Sequence, residues 1–192
     1  MIFGQLSDFA IEACHEPSGP EWGGFGRMCI HIHGTQIGDI RDNHCSLFHP
    51  TDRFRELRGT IESLWDESFV GKSDAEIFSI LERPLYRDYG QSLEQMRADW
   101  ERLGQYVFLT NTGEQFDGTN TFIICRPGGV VTIICRFRDD TLASGSCRVE
   151  SFRAVAEAYV QWFEEQVRTT APPFFPVNPF NPDEYVPDNR NA

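Results

Sequence analysis

The sequence predicts an α+β fold: an antiparallel sheet, made of an N-terminal meander and a C-terminal hairpin or meander, packed against helices and followed by a Pro-rich C-terminal arm. Three observations carry this. Apolar residues alternate near both ends of the regular part, which is the period of a half-buried strand. Between them the apolar period lengthens to that of helices, and a further helical stripe follows the last strand. After it, the segment 171–192 holds six prolines and has neither period. The expected division is one α+β domain over 1–170 and an extended Pro/aromatic tail over 171–192.

In chain order, Phe9, Ile11 and Ala13 share one face of a first strand while Glu12 points to the other. A Pro/Gly-rich loop, 16–24, leads into 27–33, where Met28, Ile30 and Ile32 oppose Cys29, His31 and His33. Gly34-Thr35 is a tight turn into 36–40, so the beginning reads as a meander. Thr51 is placed to cap a helix bearing Phe54, Leu57, Ile61, Leu64 and Trp65. Ser73-Asp-Ala-Glu76 has the form of a capping box, in which each side chain satisfies an orphan backbone donor. Pro84 is expected to stop that helix, because it lacks an N–H and crowds the preceding turn. Ser92 opens another helix with Leu93, Met96, Trp100 and Leu103 on one stripe, and Gly104 is a candidate left-handed stop.

Tyr106–Leu109 reads as a short strand. Segments 121–126 and 130–137 flank Pro127-Gly128, whose φ preferences suit a two-residue type II turn. That register pairs Cys125 with Val130 and puts Phe122, Ile124, Val131, Ile133, Cys135 and Phe137 on one core face. A third strand is expected near Ser146–Val149. Phe152, Val155, Ala156, Tyr159, Val160, Phe163 and Val167 then trace an amphipathic helix. The tail carries Phe174, Phe175, Phe180 and Tyr185; a free terminus, an arm docked on the domain and a ligand for another protein are all open to it.

With 17 basic and 29 acidic residues the chain carries a net charge of -12. Phosphate backbones demand a basic footprint, so nucleic acid is not an expected partner, and anionic membrane surfaces are repelled as well. A basic protein would be attracted. No signal-type segment or membrane-length apolar run is visible, which points to a cytoplasmic protein. The six cysteines include no CxxC, and most sit in strand-like stretches, so they read as buried free thiols.

Reactive constellations are sparse. His31-x-His33 can offer two metal ligands, with Cys14, His15, Cys29, His44, Cys45 and His49 nearby in sequence, but no CxxC or HExxH motif completes a zinc set. A metal-assisted hydrolase using His31 and His33 is the alternative reading; no metal or cofactor is expected. No nucleophile motif surrounds any cysteine or serine. Gly23–Gly26 precedes a strand, whereas a phosphate loop feeds a helix. Acid pairs such as Asp139-Asp140 read as solvated surface. A binding module remains.

Met1-Ile-Phe-Gly4, Ser7-Asp-Phe-Ala-Ile-Glu12, Trp22-Gly23, Phe25-Gly-Arg-Met-Cys-Ile30, Gly34 and Ile37-Gly-Asp39 resemble the immunity protein 42 family of bacterial polymorphic toxin systems. The resemblance is best over residues 1–40 and extends in element order to about residue 168; the Pro-rich tail departs from it. It implies a non-enzymatic protein without cofactor that stays in the producer's cytosol. There it binds a cognate toxin domain, with a basic nuclease suiting the charge. Adaptor function through the tail is a further alternative. The matched partner-contact candidates are Glu12, Trp22 and Asp39. Each also has a structural reading: a solvated strand face for Glu12, a plug at the core edge for Trp22 and a turn for Asp39.

Overall fold

The computed structural model describes residues 1–16, 24–41 and 45–170. The tail and Trp22 lie outside the described residues. The first sheet has five strands: β1 (Ile2–Gly4), β2 (Phe9–His15), β3 (Phe25–Ile32), β4 (Thr35–Ile37) and β5 (Cys45–Ser46). All pairs are antiparallel, in the order β1-β2-β3-β4, with β5 against the start of β3. The meander is therefore as expected, with a short first strand added at its edge. The turn between β3 and β4 falls one residue earlier than expected, at His33-Gly34. Both have positive φ (47° and 79°), the conformation of a type I′ hairpin turn.

The helices are α1 (Phe48–Thr60), α2 (Asp74–Tyr86), α3 (Leu93–Leu103) and α4 (Val149–Thr170). The second sheet is the three-stranded meander β6 (Thr119–Arg126), β7 (Val130–Phe137) and β8 (Leu142–Arg148). Helix α4 lies with α1 on the inner face of the first sheet. There Phe9 stacks on Phe152 with centroids 5.1 Å apart, and Tyr159 meets Phe3 and Phe54. Helix α2 covers one face of the second sheet through Phe78 and Tyr86 against Phe122. A single apolar core runs through both sheets and includes residues of all four helices. The two sheets touch where Ile32 fills the space beside Gly145; a Cβ there would stand 2.5 Å from the isoleucine side chain.

Several local expectations are corrected. The β6–β7 pairing is Arg126↔Val130 and Cys125↔Val131, one residue from the expected register. The loop takes three residues, Pro127–Gly129, because both Gly128 and Gly129 adopt positive φ (87° and 73°). Phe122 and Ile124 consequently share their face with Thr132 and Ile134, and Ile123 shares the other with Ile133. Side chains on both faces are buried in the one core, with Phe78 of α2 packing on the Phe122 side. Helix α1 starts at Phe48, so Thr51 is no cap; its buried hydroxyl donates to the Leu47 carbonyl at 2.6 Å.

The capping box at Ser73 is present in both halves, but Pro84 lies inside α2. So near the C-terminus the missing N–H costs one bond, and the packed side chains of Leu85 and Tyr86 hold the last turn. Gly104 stays right-handed (φ −59°), and the chain tightens into a 3₁₀ turn rather than stopping. The expected strand at 106–109 is reduced to one bridge, Val107↔Phe122. The described cysteines are free, and five of them are buried.

A buried carboxylate ties α2 to the second sheet. Arg136 donates from Nη1 to both Glu82 oxygens (2.9 and 2.8 Å), Arg87 donates to the same group at 2.9 Å, and the Arg136 guanidinium lies over the Phe78 ring. Pairing with hydrogen bonds makes burial of that charge tolerable.

Candidate functional site

Two surfaces stand out. The first is the outer face of the first sheet. In β2 and β3 the period of two sends Phe9, Ile11, Met28 and Ile30 into the core and leaves Glu12, Arg27, Cys29 and His31 on the other side. Glu12 and Cys29 are direct cross-strand partners, and His31 follows Cys29 by two positions on the same face. Their side chains converge: His31 Nε2 is 3.1 Å from Glu12 Oε2, Cys29 Sγ is 3.4 Å from the same nitrogen, and Sγ is 3.8 Å from the same oxygen. Burial, then the Glu12 charge, push the Cys29 thiol up to about 12. Without a bound cation it is a protonated thiol at neutral pH and a poor nucleophile.

Asp39 follows β4, and its backbone N–H donates to the Gln115 carbonyl at 2.8 Å. Hydrogen bonds from the Arg41 side chain and backbone hold the Asp39 carboxyl below the usual carboxylate range. Glu12 and Asp39, two of the three contact candidates, are thus both among the described residues. Each is already engaged inside the chain. Trp22 lies outside the described residues. His33 does not join His31: its positive φ turns it out of the strand, and its Nε2 meets the Ser146 carbonyl of β8. The two-histidine ligand pair does not form.

The second surface was only half visible in the sequence. The stripe Leu93, Met96, Trp100 and Leu103 forms on α3, but only Leu103 enters the core. Leu93 is 75% exposed, Trp100 54% and Met96 47%. Together with Leu85 and Tyr86 at the end of α2 they line an open groove of about 810 Å³. Its edge carries both signs of charge, including Arg97 and Glu101. Helical periodicity reports that a stripe exists; it does not report whether the chain itself supplies the surface that covers it. Scattered exposed apolar residues are ordinary, but a contiguous aromatic, methionine and leucine patch marks an interaction surface.

The described residues thus define an α+β protein with an open apolar groove along α3. The profile of the family described as immunity protein 42 matches residues 1–162, and the chain belongs to that family. No curated protein is similar to it in sequence. Among solved structures, the crystal structure of CdiI from Burkholderia dolosa AUO158 is similar, with a TM-score of 0.58 at 13% identity, over 84% of this chain and 99% of that one. At that identity the likeness concerns the fold. Among the described residues no helix is long and apolar enough to cross a membrane.

Proposed function

We propose that this chain neutralises a cognate toxin domain by binding it, in the cytoplasm of the cell that makes both, and that it catalyses no reaction. Membership of an immunity protein family is the observation that carries this reading. The net charge of -12 favours a basic partner, such as a nuclease domain, by accelerating encounter. The exposed Leu93–Met96–Trp100 stripe serves as the apolar anchor. An aromatic and a methionine that are half-exposed in the free chain gain most from being covered by a partner. Glu12 and Asp39 contribute negative potential to the approach, and Trp22 remains a proposed contact. The test is co-expression with the toxin domain encoded beside this chain. Cells survive and the two proteins purify together with salt-sensitive affinity if the reading holds; toxin-killed cells despite abundant folded chain would refute it.

A further inference from the structure

We propose that Glu12, Cys29 and His31 form a binding site for one zinc-class divalent cation on the outer face of the first sheet, with a fourth coordination position open to solvent. This stands independently of toxin binding and departs from the expectation of no metal drawn from the sequence.

The first argument is convergence. The same three atoms, one from each residue (Oε2, Sγ and Nε2), define all three short separations. A hydrogen bond between Glu12 and His31 needs only one of those distances. Strand pairing brings the Cys29 sulfur to the same nitrogen and the same oxygen, so three donor atoms of metal-ligand type face one another. All three atoms lie close enough together for one ion to reach each of them.

The second argument is metric. Zinc binds sulfur at ~2.3 Å, imidazole nitrogen at ~2.0–2.1 Å and carboxylate oxygen at ~2.0–2.2 Å, usually as a tetrahedron. Those bonds imply donor separations of ~3.5–3.6 Å for S–N, ~3.5–3.7 Å for S–O and ~3.3–3.5 Å for N–O. The chain shows 3.4, 3.8 and 3.1 Å. Small side-chain adjustments close the differences, and the backbone needs none, because the β2–β3 ladder sets all three Cα positions.

The third argument is chemical. A thiol, an imidazole and a carboxylate together select a borderline-soft transition ion over calcium or magnesium, which prefer oxygen alone. The site is also graded in access. Cys29 is buried, the His31 side chain is 13% exposed and that of Glu12 is 35% exposed, so the opening lies beside the carboxylate. On binding, the Cys29 thiol proton leaves to solvent and the sulfur takes the cation; neutral imidazole and carboxylate bind as they are.

The experiment uses the full chain after chelator treatment, titrated with Co²⁺ and followed by absorption, then with Zn²⁺ in competition with a chromogenic chelator. The proposal expects saturation at one equivalent, with thiolate-to-cobalt charge transfer and the d–d bands of a four-coordinate ion. Loss of a ligand's outer partner typically costs ~10–100-fold in affinity, which sets a floor of about tenfold for Cys29→Ser, His31→Ala and Glu12→Gln. Cys29→Ser also abolishes the charge-transfer band, while Cys14→Ser and His33→Ala leave it unchanged. No saturable binding by the wild-type chain overturns the proposal, whatever the folding of the variants. So does a band that survives Cys29→Ser or vanishes in Cys14→Ser.

Discussion

Truncating Leu93 separates binding from folding more cleanly than any other change on the α3 surface. Leu93 is the first residue of α3 and is 75% exposed. Burying a leucine side chain is worth ~1.5–3 kcal/mol. About three quarters of that, roughly 1–2 kcal/mol, remains for a partner to collect, and the fold uses well under ~1 kcal/mol. Alanine is the better helix former and recovers a few tenths of a kcal/mol. The cap is untouched, because Ser92 Oγ accepts from the backbone N–H of Gln95 at 3.2 Å. Leu93→Ala therefore raises the Kd for the toxin domain roughly 5–30-fold, at ~1.4 kcal/mol per decade, and leaves the urea midpoint almost unmoved. Titration calorimetry measures the first and equilibrium unfolding the second. Val70→Ala, at another exposed apolar position (61%), is the control and leaves Kd unchanged. An unaltered Kd for Leu93→Ala in a normally stable chain would show that the stripe is not the anchor.

Other perturbations probe the scaffold. Glu82→Ala leaves the Arg136 guanidinium without its carboxylate; since Arg136 is partly exposed, a loss of about 2–3 kcal/mol in denaturant titration is expected, and a neutral result would mean the pair contributes nothing net. Gly145→Ala forces a methyl into Ile32 and should cost ~1–3 kcal/mol, visible as a lowered Tm; an unchanged Tm would show that the sheets can part there freely. Backbone N–H groups hold the carboxyls of Glu76 and Asp139 below their ordinary range, and a hydrogen bond from Ser68 does the same for Asp66. Their folded pKa values lie below the unfolded ones, so their contribution is complete above the unfolded carboxylate range and is lost as pH falls through the folded values. Urea midpoints should thus decline on acidification, and Glu76→Gln should flatten that slope; an equal slope in the variant would remove Glu76 from the account.

Much of this protein was legible one residue type at a time. Alternation at 9–13 and 28–32 located β2 and β3 and their inward faces, because a strand's side chains have no choice but to alternate. The Ser73/Glu76 box and the Ser92 cap located two helix starts, since a cap is a contact between near neighbours in sequence. The final helix announced itself through a stripe long enough to average out exceptions. Even the metal-capable face was half readable, as Cys29 and His31 fall on one side of one strand.

What the chain alone left open depended on distant partners. The β6–β7 register turned on the conformation of one further glycine, and a slip of one residue exchanges the faces of a strand. Pro84 stayed helical because α2 is held by side chains packed on β6, which no local rule contains. Glu12 joined Cys29 only through cross-strand pairing, and His33 left His31 only because the turn took it. The α3 stripe is the sharpest case. Its period dictates a face, but whether that face is covered depends on what the rest of the fold places above it. Here α2 reaches one edge and leaves Leu93, Met96 and Trp100 in water. Local patterns act through the chain's own geometry and can be read from it. Burial, convergence and exposure are properties of the space between elements, and only the assembled structure decides them.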